Sequence, residues 1–170
     1  MLVDSFRFLP RSFAPMYASA TPMEDESDPV WAPFEPRLAE ATIGLVTSAG
    51  LHLEGEQEPF DGERERQDPM WGDATWRQLP HELSGGGRRI GMTHLHVNPA
   101  DILADHNVAL PTDTLDQLVA EGVVRAPTAS HASVMGYQAA GLEVWRKETA
   151  PAIISMFRDE GADGVVLAPV

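Results

Sequence analysis

Apolar and polar positions alternate along this chain in several distinct rhythms. Residues 41–48 (ATIGLVTS) form a short apolar run rich in β-formers, and Ser48-Ala49-Gly50 can turn sharply after it. This predicts a buried strand. Residues 90–97 alternate strictly, with Ile90, Met92, His94 and His96 on one face and Gly91, Thr93, Leu95 and Val97 on the other. Leu115, Leu118 and Val119 mark a helix that Thr112 or Asp113 would cap and Gly122 would stop. Between these, one helical turn is expected over 100–105 and an extended piece over 108–111. The best helical stripe is Leu142, Trp145, Ile153, Met156 and Phe157 within residues 141–160; Pro151 should kink or split it, and Gly161 should end it. Residues 163–168 (DGVVLA) then read as a strand of the buried parallel kind.

Strands near 42–48, 89–97 and 164–169 with helices between them argue for an α/β fold, a three-layer sandwich with a mostly parallel sheet. An irregular proline-rich N-terminal arm, residues 1–40, precedes it, punctuated by Pro10, Pro15, Pro22, Pro29, Pro33 and Pro36. Its aromatics (Phe6, Phe8, Phe13, Tyr17, Trp31 and Phe34) are too many for a free tail, so the arm is expected to lie on the domain or on a second subunit. The domain itself spans 41–170. Residues 55–73 lack periodicity and read as a long excursion that Trp71 and Trp76 help to order. Residues 84–87 (SGGG) form a turn without the Gly-x-Gly-x-x-Gly spacing of a dinucleotide site. Residues 127–136 read as a second loop, holding Thr128, Ser130, His131 and Ser133.

Composition narrows the function. A chain of 170 residues with 43% hydrophobic and 22% charged residues is long enough for one domain with a real core. A net charge of −14 argues against nucleic acid and anionic membrane as partners. No apolar run is long enough to span a membrane, and Asp4, Arg7, Pro10 and Arg11 interrupt any secretory core, which points to a cytoplasmic protein. There are no cysteines, so no disulfide, thiolate nucleophile or Cys-ligated metal arises from these residues.

The candidate chemistry concentrates in residues 89–111. His94 and His96, two apart on a strand, point the same way about 6–7 Å apart; with Asp105 and His106 they make the candidate catalytic set. Such a pair can pass a proton, polarise a carbonyl or hold a metal, and it can equally be a hydrogen-bonded pair at a sheet rim. Thr47, Ser48 and His52 at the end of the first strand, with His131 and Ser133 of the later loop, are candidate substrate-binding groups, because ligands of α/β sheets sit beyond the carboxyl ends of the strands. The rival is a metal-dependent hydrolase site from His94, His96, Asp101, Asp105 and His106. A third class is a non-catalytic binding or assembly subunit. No cofactor is called for.

Several stretches together resemble the glycine/betaine/sarcosine/D-proline reductase family, in its selenoprotein B-type substrate subunit. They are residues 44–52 (GLVTSAGLH), 57–61 (QEPFD), Gly72-Asp73, 76–80 (WRQLP), Thr93-His94-Leu95-His96, 105–111 (DHNVALP), Leu115 with Leu118, Glu121-Gly122, 133–137 (SVMGY) and 161–167 (GADGVVL). The resemblance covers roughly residues 41–170. It implies an oxidoreductase of amino-acid metabolism that cleaves a C–N bond reductively through a thiol or selenol nucleophile. It also implies a small amino-acid-like substrate, with partner reductase subunits or a homo-oligomer. In that family a Cys- or Sec-bearing turn follows the strand matching Val165–Leu167. This chain departs from the family there, which leaves two explanations open: truncation at a selenocysteine codon, or a cysteine-free paralogue.

Overall fold

The computed structural model describes residues 32–68, 71–83, 87–95, 97–136 and 141–170. The arm expected over 1–40 lies outside the described residues as far as position 31. Within 32–40 the one regular piece is a 3-10 turn, Leu38–Glu40.

The central strand is β1 (Thr42–Thr47). On one side it pairs in parallel with two short segments of a single interrupted strand, β5 (Ala126–Pro127) and β6 (Ser130–Val134); on the other it pairs in parallel with β7 (Gly164–Ala168). β3 (Trp76–Pro80) adds to β6 antiparallel and closes that edge. A second, two-stranded antiparallel sheet joins β2 (Leu51–Leu53) to β4 (Ile90–Met92). The helices are α1 (Gly62–Gln67), α2 (Ala100–Ala104), α3 (Thr112–Ala120), α4 (Leu142–Val144) and α5 (Ala150–Asp159).

The main sheet is covered on both faces, giving the α/β layering expected from the strand and helix order. Ile43 and Leu45 of β1 pack with Leu51, Leu79, Leu110 and Leu115 in one core. Val46, Ala132 and Val134 meet Ile153 and Phe157 of α5 in the other. Gly44 is what lets α5 approach β1 so closely, since a Cβ there would stand 2.3 Å from the Phe157 ring.

Pro151 acts as expected, although the helix adapts rather than bends away. Proline has no N–H to return to the preceding turn, and α4 runs into α5 through a π-helical turn, Trp145–Thr149, that absorbs the mismatch. Gly122 and Gly161, at φ +73° and +69°, end the helices they were expected to end.

Four local expectations need correcting. The alternating stretch 90–97 is strand over Ile90–Met92 alone, and it pairs with β2 outside the parallel sheet. Pairing carries one residue further, with Thr93 N–H donating to the Gly50 carbonyl (3.0 Å), and lapses there because the Gly50 N–H donates instead to the Val134 carbonyl (2.9 Å). The polar stretch 127–136 contains a wholly buried strand, β6 (Ser130–Val134), rather than being a loop throughout. Helix α3 starts from Pro111 with no side-chain cap, and Thr112 is buried in its first turn. Finally, β7 is an exposed edge: Val166 and Leu167 are 50% and 70% accessible rather than buried.

Candidate functional site

The sheet interior holds an imidazole chain that explains why β6 is polar. Between β5 and β6 the ladder to β1 lapses, because Pro127 has no N–H and Thr128 already donates to the Ile43 carbonyl (3.0 Å). The next β1 donor, Leu45 N–H, would be orphaned in the core. His131 Nδ1 accepts it instead, at 3.2 Å. That acceptor role puts the His131 proton on Nε2, which donates to His81 Nδ1 at 2.8 Å. His81 must then carry its proton on Nε2, which donates to Asp116 Oδ1, also at 2.8 Å. Burial, reinforced by His81 and opposed by Asp116, pushes the His131 imidazole down to about 4. His131 is therefore a fixed, neutral structural group at 0% exposure.

The cavity nearest the histidine stretch is a cleft of about 690 Å³ whose lining includes Glu58, Asp61, Glu65, Arg66, Thr93 and His94. One wall is the segment 56–61, which carries no regular structure and is held by side chains from outside it. Gln57 accepts from Leu53 N–H (3.0 Å) and donates to the Gln78 carbonyl (2.7 Å). Arg77 donates to the carbonyls of Glu58 (2.6 Å) and Pro59 (3.0 Å), and its guanidinium lies 4.2 Å above the Phe60 ring. Asp73 accepts from Asp61 N–H (3.0 Å) and from the Thr75 hydroxyl (2.6 Å) and N–H (2.9 Å). Burial works against the Asp73 anion, yet these three donors hold the carboxyl below its usual range. Asp61 in turn caps α1 by accepting from Arg64 N–H at 2.9 Å.

The opposite wall is the turn after β4. The Thr93 methyl packs where a side chain on Gly62 would stand, 2.7 Å from the Cβ position, so α1 and this turn are in direct contact. His94 follows, half-buried and lining the cleft. Leu95 N–H donates a long bond, 3.4 Å, to Glu65 Oε1.

The other candidate residues are dispersed. His96 lies outside the described residues. His106 lines a separate hollow of about 400 Å³ with Glu54, Arg89 and Leu103, and its Nε2 meets the Thr112 hydroxyl at 2.8 Å. Asp105 is exposed and accepts from the N–H and side-chain amide of Asn107 (both 2.9 Å), bonds that hold its carboxyl below the usual value. His52 is buried on β2 opposite Gly91, where a Cβ would stand 2.4 Å from its Nε2, and burial lowers its affinity for a proton. Thr47 and Ser133 are register partners inside the sheet. Thr47 Oγ1 accepts from Ala49 N–H at 3.2 Å, whereas Ser133 Oγ is buried without a partner among the described residues. Ser48 lines a third, apolar hollow of about 490 Å³ with Val46, Trp145, Phe157 and Leu167. Asp101 is exposed on α2. Among the described residues, no three His, Asp or Glu side chains converge as metal ligands.

Glu65 is the residue that sequence reasoning passed over. It sits among four other charged or amide side chains in residues 62–67, a pattern that reads as solvated surface, yet it is 3% exposed.

The arrangement defines an α/β domain with helices on both faces of its sheet and an acidic cleft beside a histidine-bearing turn. The chain is similar to D-proline reductase subunit gamma of Acetoanaerobium sticklandii, with 28% identity over 139 residues, 82% of this chain and 52% of that protein. It thus spans about half the length of that relative. The similarity supports kinship with a reductase family rather than with one member of it. No family model matches the sequence, and no solved structure matches it. No helix among the described residues is long and apolar enough to cross a membrane.

Proposed function

We propose that the chain is the substrate-side part of an amino-acid reductase of the glycine/betaine/sarcosine/D-proline type, in the selenoprotein B manner, and that the cleft beside His94 receives a small amino-acid-like molecule. One observation carries this reading. Of the stretches by which the chain resembles that family, 57–61 and 93–95 line the cleft together, and Asp73 and Arg77 from two others hold its wall in place.

In such a reaction a thiolate or selenolate attacks the substrate carbon, the C–N bond breaks, and the amine leaves with a proton. A second thiol then attacks the sulfur or selenium, the carbon takes up a proton, and a disulfide or selenosulfide forms. With no cysteine among the 170 residues, the nucleophile and the reductant are supplied by another polypeptide or by further sequence. In this reading His94 supplies the proton to the departing amine. Partner reductase subunits or a second copy, in a cytoplasmic setting, belong to the same proposal.

Calorimetric titration with D-proline, L-proline, glycine, sarcosine and betaine tests it. Saturable binding of at least one, weakened about tenfold or more by His94→Ala, is the expected result. Absence of binding by all five overturns the reading.

A further inference from the structure

The cleft contains a carboxylate that the fold does not neutralise. Glu65 is 3% exposed, and among the described residues its hydrogen bonding amounts to the 3.4 Å contact from Leu95 N–H to Oε1, longer than an ordinary amide–carboxylate bond. Among the described residues no ion pair reaches it, although Arg64 and Arg66 flank it in the chain. Arg64 is turned to the Trp71 ring, 4.3 Å above its centre. Two nearby carboxylates have their own donors: Asp61 caps α1, and Asp73 accepts from Asp61 N–H and from the hydroxyl and N–H of Thr75. A desolvated carboxylate with one long bond is costly to keep, and a buried ion is retained cheaply only when a cation meets it.

We infer that Glu65 is the anchor for the ammonium group of a small amine or amino acid bound in this cleft. This rests on the proposed reading that the cleft takes such a ligand, and it adds which atoms hold the nitrogen. Oε2 is the open acceptor, and an ammonium bonded to it gains a charge-assisted hydrogen bond in a site partly withdrawn from water. Glu58, Asp61 and Glu63 around the opening add a field that favours cations over anions, with Arg66 and His94 as the opposing groups. The ligand nitrogen would lie beside His94, the group proposed to protonate it.

Two probes of the same ring size separate the charge effect from shape: pyrrolidine, a cation at pH 7, and cyclopentanecarboxylate, an anion without nitrogen. Wild-type protein should bind pyrrolidine, and Glu65→Gln should weaken it at least tenfold without weakening cyclopentanecarboxylate. Glu65→Gln should also leave the urea midpoint of the ligand-free protein equal or raised, because it removes an uncompensated charge. Equal pyrrolidine affinity in both proteins, no pyrrolidine binding by the wild type, or a lowered urea midpoint each overturns the assignment. If the wild type binds an amino acid and Glu65→Gln binds it equally well, this inference falls while the wider reading stands.

Discussion

Acid should loosen this fold through His131, and the structure sets both the size and the pH window. The imidazole is held neutral, near a pKa of about 4, against 6.5 for an unrestrained histidine. The unfolded chain therefore takes up this proton first as pH falls. Stability from the group is complete above about pH 6.5 and drains away between 6.5 and 4, the direction required of a base whose folded pKa is depressed. A shift of that size corresponds to about 3 kcal/mol. The geometric reason is a clash of donors: a protonated His131 would present Nδ1–H to Leu45 N–H and lose the acceptor that ends the β1 ladder gap. His131→Asn is the informative perturbation. Its amide oxygen can still accept from Leu45 N–H, but it neither titrates nor reaches His81, so a cost of about 1–3 kcal/mol is expected at pH 7.5. Urea unfolding of both proteins at pH 7.5, 6.5, 5.5 and 4.5 measures the difference. The wild type should lose its advantage progressively below pH 6.5, and the curves should converge near pH 4.5. A constant gap across the range would refute the argument, since the acid sensitivity would then belong to other groups.

Two further perturbations test the packing that forms the cleft and the sheet. Gly44→Ala places a methyl against the Phe157 ring, which is itself 5% exposed and has little room to swing away, so a loss of about 1–3 kcal/mol in urea unfolding is expected, against no change if α5 can simply slide. Arg77→Lys keeps the charge and loses the fork that reaches two carbonyls of segment 56–61; amide exchange there should accelerate by at least tenfold, and an unchanged exchange pattern would show that Gln57 and Asp73 suffice alone.

How much of this was legible in the sequence depends on which force shapes each element. β1 and α5 are built from apolar burial, and their periodicity announced them, down to the break around Pro151. β7 was found as a strand and misjudged in burial, because an apolar run shows β preference without showing whether a neighbour covers it. β6 was missed for the opposite reason. Ser130, His131 and Ser133 look like loop residues, yet Ser130 is satisfied by Gln78 and Glu160, and His131 by Leu45 and His81. Buried polarity paired across 30 to 86 residues leaves no local trace. The short α1 was invisible too, as its six residues carry no aliphatic stripe and it is fixed by the Asp61 cap and the Gly62–Thr93 contact.

The candidate histidines divide on the same physical ground. His131 and His52 lie inside the packed layers, and burial disfavours a proton on either, so each serves most naturally as a neutral hydrogen-bonding or packing group. His106 is committed to Thr112 at the start of α3. Of the described histidines, His94 alone lines the cleft built by the family-like stretches, and it does so because Thr93 is locked between Gly50 and Gly62. Each of those glycines admits Thr93 by lacking a side chain: the Thr93 carbonyl would stand 2.0 Å from a Cβ on Gly50, and its methyl 2.7 Å from one on Gly62. The turn that presents His94 is thus set by backbone contact rather than by the alternation that first drew attention to it. His94 stands with Glu65 on the wall of one hollow, held from behind by the main chain, whereas His131 and His52 are packed within the layers and His106 is bonded to Thr112.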